Sequence, residues 1–265
     1  MGYRYEDYKN NSINKTVKSR TNYSYDSYGL TASVRTRELA PNYTQKSGTY
    51  PIEYLYYYDT SSGSKIFGTL LRECERGGTE TQYYYDSDKG LLTAAVNETD
   101  GTGYVYNYDD TGKLIEVLPF IYFEESNAYM AVTNAEEVYY TYDSANRLST
   151  IATATTTYTL SYNAFGNTSS VKAGDNTLAS YSYNSYNGKL STVTYGNGYV
   201  EEYTYDELEN LSEIWYTVGG TRTKAYTYEY NADGSLYKLV DHVNGNSTVY
   251  KYDSTGRVVA AIEYG

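Results

Sequence analysis

A tyrosine-aspartate (or tyrosine-asparagine) pair, in most copies followed by a glycine, recurs ten times along the 265 residues. A unit repeated at short period constrains architecture more firmly than any single residue does. The clearest copy is Tyr106, Tyr108, Asp109, Gly112, Leu114 and Val117, which reads Y-x-Y-D-x-x-G-x-L-x-x-V. The other copies centre on Tyr25-Asp26, Tyr58-Asp59, Tyr85-Asp86, Tyr142-Asp143, Tyr162-Asn163, Tyr183-Asn184, Tyr205-Asp206, Tyr230-Asn231 and Tyr252-Asp253. Successive centres lie 23 to 34 residues apart up to Tyr142 and 20 to 25 apart beyond it. A period of about twenty residues holds two strands and two turns. Ten units therefore predict an all-β chain of about twenty strands, a continuous antiparallel sheet of consecutive hairpins, curved or spiralling.

Within each unit, Tyr-x-Tyr puts two rings on one face of a strand and the middle residue on the other. The ten middle residues are Ser24, Tyr57, Tyr84, Asn107, Thr141, Ser161, Ser182, Thr204, Glu229 and Lys251. Eight are polar, so one face is aromatic and the other hydrophilic. Asp or Asn then opens a turn by bonding the backbone two residues on. Glycine at the fourth place, as in Gly112, Gly166, Gly234 and Gly256, supplies the left-handed residue that follows a type I turn. Asn146 takes that place after Asp143. After Asp206 no glycine follows, and Asn210 is the expected positive-φ residue, since Asn tolerates that conformation well. The second strand carries Leu and Val or Ile three apart, as in Leu190 and Val193. In a straight strand these would face opposite sides, so either a bulge intervenes or both faces take apolar contacts.

Composition sharpens the reading. Forty residues are Tyr, against four Phe and one Trp, so tyrosine must do much of the packing, with its hydroxyl bonded or wet. The net charge of −12 disfavours nucleic acid and anionic lipid as partners. Cys74 is the only cysteine and excludes an internal disulfide. No apolar run of about eighteen residues marks a membrane-spanning helix.

The chain reads as a single array over 1–265. Residues 1–20 form a degenerate or frayed start, 23–139 hold irregular repeats, and 140–265 hold regular ones. Insertions fall at 39–51, with Pro41, Gly48 and Pro51 as breakers, and at 117–137. The second is expected to be a long loop, an extended hairpin, or a helical turn near Ser126-Asn127-Ala128.

The motif Y-x-Y-D-x-x-G-R-L resembles the RHS/YD-repeat family, and Tyr252-Asp253-Ser254-Thr255-Gly256-Arg257-Val258 and Tyr142-Asp143-Ser144-Ala145-Asn146-Arg147-Leu148 carry it best. The match runs from about Tyr23 to Ile262. The resemblance implies a sheet that spirals into a hollow shell. It also implies a large secreted or cell-surface protein: a bacterial polymorphic toxin, a toxin-complex component, a wall-associated protein or an animal teneurin. Such shells enclose a C-terminal effector or serve in cell contact, and they close with a segment containing Pro and Asp-Pro. This sequence holds only Pro41, Pro51 and Pro119 and no Asp-Pro pair. Closing segment and effector are therefore expected elsewhere in the polypeptide, as this chain's partners, and a bacterial surface or secreted location is the implied one.

Little else in the sequence points to chemistry. His242 is the only histidine, and its neighbour Asp241 is expected on the other face of a strand. Cys74 sits in an alternating, charge-flanked strand. Asp86-Ser87-Asp88-Lys89-Gly90 lacks the later ligands of a calcium loop and reads as a turn. Asn97-Glu98-Thr99-Asp100-Gly101-Thr102-Gly103 reads likewise as a hairpin tip. No catalytic residue, metal or cofactor is expected. Tyr57 and Tyr84 break the polar face, and Trp215-Tyr216 concentrate further rings, so these four are the candidate binding residues for a glycan or a surface protein. The alternative for them is cross-strand packing. The expected function is a non-catalytic shell segment, with an adhesion module as the alternative. Ten repeats are expected to leave an open sheet with bare terminal strands, which invite edge-to-edge self-association.

Overall fold

The computed structural model describes residues 17–39, 46, 51–123, 128–132 and 137–265. Among them there is no helix; every regular element is a strand of one antiparallel sheet. Ten hairpins build it in chain order. Hairpin 1 is β1 (Val17–Tyr25) with β2 (Thr31–Glu38), and hairpin 2 is β3 (Ile52–Tyr58) with β4 (Leu70–Glu75). Hairpin 3 is β5 (Glu80–Tyr85) with β6 (Leu92–Asn97), and hairpin 4 is β7 (Thr102–Tyr108) with β8 (Leu114–Phe123). A short strand, β9 (Ala128–Ala131), folds back on the end of β8. Hairpin 5 is β10 (Val138–Tyr142) with β11 (Leu148–Ala152), and hairpin 6 is β12 (Thr157–Tyr162) with β13 (Thr168–Ala173). Hairpin 7 is β14 (Asn176–Tyr183) with β15 (Leu190–Tyr195), and hairpin 8 is β16 (Val200–Tyr205) with β17 (Leu211–Val218). Hairpin 9 is β18 (Thr221–Tyr230) with β19 (Leu236–Asp241), and hairpin 10 is β20 (Asn246–Tyr252) with β21 (Val258–Tyr264).

The sheet is closed. β1 pairs with β2 on one side and with β21 on the other, Arg20 opposite Ile262 and Asn22 opposite Ala260. β8 reaches β10 through Val117 and Glu116. The expected open sheet, and self-association through bare terminal edges, are thus corrected: the two terminal strands satisfy each other. No strand approaches any strand beyond its neighbours, and among the described residues no large side chain is fully buried. The wall is a single layer.

Closure follows from the tyrosines. The hydroxyls of nine of the ten motif tyrosines donate to the carbonyl that begins the second strand of the preceding hairpin. Tyr85 reaches Leu70 (2.8 Å), Tyr108 Leu92 (2.7 Å) and Tyr142 Leu114 (2.7 Å). Tyr162 reaches Leu148 (2.6 Å), Tyr183 Thr168 (2.8 Å) and Tyr205 Leu190 (2.8 Å). Tyr230 reaches Leu211 (2.8 Å) and Tyr252 Leu236 (2.7 Å). Tyr25, in the first hairpin, donates to Val258 in the last at 2.7 Å. The seam is therefore one more repeat junction, chemically the same as the others. A cation spans several of these junctions: Arg147 pairs with Asp143 and lies 4.3 Å from the Tyr162 ring centre, and Arg257 pairs with Asp253 and lies 4.6 Å from the Tyr25 ring centre.

The turn chemistry goes beyond the expected bond two residues on. The Asp109 carboxylate accepts the N–H groups of Thr111 and Lys113, and the Asp253 carboxylate those of Thr255 and Arg257. Asn163 does the same for Phe165 and Asn167, which explains why Asn substitutes for Asp. Asn146 has φ 64° as expected, but after Asp206 the left-handed residue is Glu209 (φ 65°), not Asn210. The normal spacing is kept, and Asn210 instead donates its N–H to Asp206 at 2.8 Å. The Leu-to-Val offset resolves as a bulge. Tyr183 faces Leu190 while Ser182 faces Thr192, so Ser191 is extra and Leu190 and Val193 share the tyrosine face. All ten hairpins shift register at this point, from Ser24/Tyr25 to Lys251/Tyr252. Of the readings of 117–137, the extended hairpin is observed as β8 and β9; Ser126 and Asn127, like residues 1–16 and most of 40–50, lie outside the described residues.

These features give three expected outcomes. Tyr183→Phe costs about 1 kcal/mol in urea unfolding, the net worth of one hydrogen bond, and Tyr25→Phe costs the same; an open seam would make the second substitution neutral. Glu209→Gly stabilises by about 1 kcal/mol, less the small worth of the exposed Lys189–Glu209 pair, and an unchanged midpoint would show that the turn is unstrained. Burial raises the phenols of Tyr85, Tyr108, Tyr205 and Tyr230 above their ordinary value. Their contribution is whole below the unfolded value of about 10 and is lost as pH rises through the folded one. Absorbance at 295 nm should show late, cooperative tyrosinate formation accompanying unfolding; forty independent titrations near 10 would contradict this.

Candidate functional site

The hairpins all point their Tyr-Asp turns toward one rim of the ring, here the turn rim. The opposite rim carries the short return turns and the outer ends of β1 and β21. Twenty strands spaced about 4.8 Å apart make a perimeter near 96 Å, hence a diameter on the order of 30 Å before side chains are counted. Rings of sixteen or more strands leave an open lumen. The wall's two faces differ as the alternation requires. Along hairpins 5 to 7 the middle residues Thr141, Ser161 and Ser182 are exposed, while the residues on either side of them, Tyr140, Tyr142, Leu160, Tyr162, Tyr181 and Tyr183, are half-buried. On the tyrosine face of hairpins 7 to 9 the rings touch in series: Tyr195 and Tyr199 (5.3 Å between centres), Tyr199 and Tyr216 (5.1 Å), and Tyr216 and Tyr226 (6.0 Å). Burial, and then hydrogen bonds to Tyr226 and Tyr199, push the Tyr216 phenol far above the ordinary range.

The four candidate binding residues do not form one patch. Tyr57 and Tyr84 are exposed on the polar face, as their position requires. They stand on β3 and β5 with β4 between them, and the Arg72 guanidinium lies 4.0 Å from the centre of the Tyr57 ring. Tyr84 donates to Glu98 at 3.4 Å. Trp215 and Tyr216 are consecutive on β17 and face opposite sides: Tyr216 joins the tyrosine series, and Trp215 lies on the polar face. There Arg222 and Lys224 approach the Trp215 ring at 4.0 and 4.9 Å, and its Nε1–H donates to Glu213 at 2.8 Å. A third polar-face tyrosine, Tyr139, is also exposed and donates to Glu137; its place two residues before the middle residue Thr141 was the available signal.

Elsewhere the chemistry is that of turns and strands. His242 lies in the turn between β19 and β20, its Nε2 2.9 Å from the Thr227 hydroxyl, while Asp241 holds the N–H groups of Val243 and Asn244. Cys74 is half-buried in β4 opposite Leu55 and Glu80. Asp86 accepts the N–H groups of Asp88 and Lys89, and Asn97 that of Thr99, as turns do. Among the described residues no group of three or more His, Cys, Asp or Glu could hold a metal ion. Apolar burial on the polar face departs from the simple two-face pattern at two places, the first at Val96 and Phe120 on β6 and β8. At the seam, Val249, Ala260, Ile262 and Tyr264 are buried with Leu39, and their register places the first three with the middle residue Lys251, on the polar face.

No family model matches the chain. Teneurin-4 of Mus musculus is 27% identical over 254 residues, 92% of this chain and 8% of that protein, and teneurin-1 of Mus musculus is 26% identical over 259 residues with the same shares. The chain thus spans a small part of the length of these relatives. Among solved structures, TcdB2-TccC3-TEV aligns with a TM-score of 0.46 at 17% identity, over 92% of this chain and 13% of that one. With that score below 0.5, kinship stands on the sequence relatives and on the repeat itself. The Tyr-Asp motif resembles that of a family that includes the teneurins, the teneurins align with nearly all of the chain, and the motif tyrosine makes the same bond at junction after junction: the chain is similar, in sequence and in its repeat, to the RHS/YD-repeat proteins.

Proposed function

We propose that the chain is a non-catalytic section of shell wall in a large secreted or cell-surface protein, and that its lumen encloses or presents another segment of the same polypeptide. The observation that carries this reading is the closed single-layer ring, whose closing junction repeats the bond of the others. The lumen, on the order of 30 Å across at the backbone, admits an extended chain or a helix of about 10–12 Å. The greater enclosure of the tyrosine rings supports the tyrosine face as the inner one, because side chains crowd on the concave side of a closed sheet. Most strands run five to eight residues, short of the nine to eleven that a membrane-spanning strand needs, which supports a wall standing in water.

Adhesion through exposed aromatics is the second reading, carried by the exposure of Tyr57 and Tyr84. One pair of measurements separates the two. A disordered thirty-residue segment with a protease site, fused after Gly265, should be cut about tenfold more slowly than the same segment free in solution; equal rates would remove the enclosing role. On a glycan array the second reading requires binding that a Tyr57→Ala, Tyr84→Ala double variant loses, and an unchanged array rules that patch out.

A further inference from the structure

The turn rim carries large apolar side chains at its tips, which is unusual for β-turns in water. Hairpins 6, 7 and 8 end in Phe165, Tyr186 and Leu208, which are 90%, 97% and 79% exposed. Hairpins 1 and 2 end in Tyr28 and Phe67, 57% and 47% exposed, with their rings edge-on at 5.4 Å. In hairpins 6 and 7 the motif acid is Asn163 and Asn184, so those tips are also uncharged. In a ring of ten hairpins, numbers 1 and 2 stand directly opposite 6 and 7. The tips between carry acids: Asp88 and Asp110 on one side, Asp233 and Asp253 on the other.

The rim is level and stiff. Because the closing bond from Tyr25 to Val258 repeats the other junctions, no step accumulates around the ring. Neighbouring tips are tied together: Lys65 donates to the Asp88 carbonyl at 2.7 Å, Lys113 to Asn146 at 2.5 Å, and Lys189 pairs with Glu209.

We propose that the turn rim is a docking face for a second copy of this chain, the two rings meeting rim to rim about a twofold axis lying in the rim plane. An axis passing between hairpins 1 and 2, and again between 6 and 7, exchanges 1 with 2, 6 with 7, 5 with 8, 3 with 10 and 4 with 9. Phe165 then meets Tyr186 of the second copy, and Tyr28 meets its Phe67. Glu207 and Glu209 on hairpin 8 face Arg147 on hairpin 5, and Asp88 faces Arg257. One facing is repulsive, Asp110 against Asp233. A rim about 96 Å around and roughly 10 Å wide offers on the order of 1,000 Å² per copy, enough for a stable interface. A lipid surface fits less well, because a level rim would press Asp88, Asp110 and Asp233 into the headgroups together with the rings. Two rings so joined form one longer lumen. The inference rests on the ring and its rim, and it holds or fails independently of what the lumen encloses.

Size-exclusion chromatography with light scattering on the full chain decides it. The expected mass is twice the 30.0 kDa of one chain, and a Phe165→Ser, Tyr186→Ser, Leu208→Ser variant should dissociate about a hundredfold more readily while keeping its β-sheet circular dichroism spectrum. In mixed populations of Ala164→Cys and Ser185→Cys chains, oxidation should give a covalent heterodimer. A monomer at 100 μM, or a dimer that survives the triple substitution, would overturn the proposal. So would flotation of a monomer with phosphatidylcholine vesicles that the same three substitutions abolish, which would assign the rim to lipid.

Discussion

The hydrogen bond from a motif tyrosine to the carbonyl at the head of the preceding hairpin is the interaction on which the rest of this molecule depends. A single-layer sheet has no opposing layer to bury its side chains, and the described residues include only a few buried apolar ones. Lateral contacts must supply what a packed core ordinarily supplies. The tyrosine does so with one side chain: its ring covers the neighbouring hairpin and its hydroxyl closes a backbone acceptor. The preference for Tyr over Phe, forty against four, follows from that second task, which Phe cannot perform.

The same bond recurs where the wall closes. A junction repeated without variation generates either a spiral or a ring, according to whether a step accumulates between units. Here the junction between the last hairpin and the first makes the bond made elsewhere, with Arg257 over Tyr25 as Arg147 lies over Tyr162. The wall therefore meets itself, its terminal strands lose their bare edges, and the turns gather on one level rim. The lumen and the two unlike rims are consequences of closure rather than of any one residue.

Much of the fold was legible in the chain. Period-two alternation gave the strands and their two faces, and Asp or Asn with a following Gly gave the turns, because these rest on local backbone preferences. Glu209 was missed because a position that needs positive φ is held by the spacing of the turn even when the residue there is unsuited to it. The bulge after each turn could not be chosen over a two-faced strand, since both satisfy the same Leu-to-Val offset. The candidate site was less legible. Tyr57 and Tyr84 were placed on the exposed face correctly, but adjacency in sequence misled for Trp215 and Tyr216, whose side chains leave a strand in opposite directions.

What the sequence by itself determined is the unit: a hairpin with a tyrosine face, a polar face and a capped turn, all set by interactions within about twenty residues. What the tertiary structure alone decided is how many units make a turn of the wall, and that the tenth meets the first. That outcome depends on small angles of twist and tilt summed over twenty strands, and no residue encodes the sum. The burial of Val249, Ala260 and Ile262 on the nominally polar face belongs to the same class, for β21 gains its second neighbour where the two ends of the chain come together.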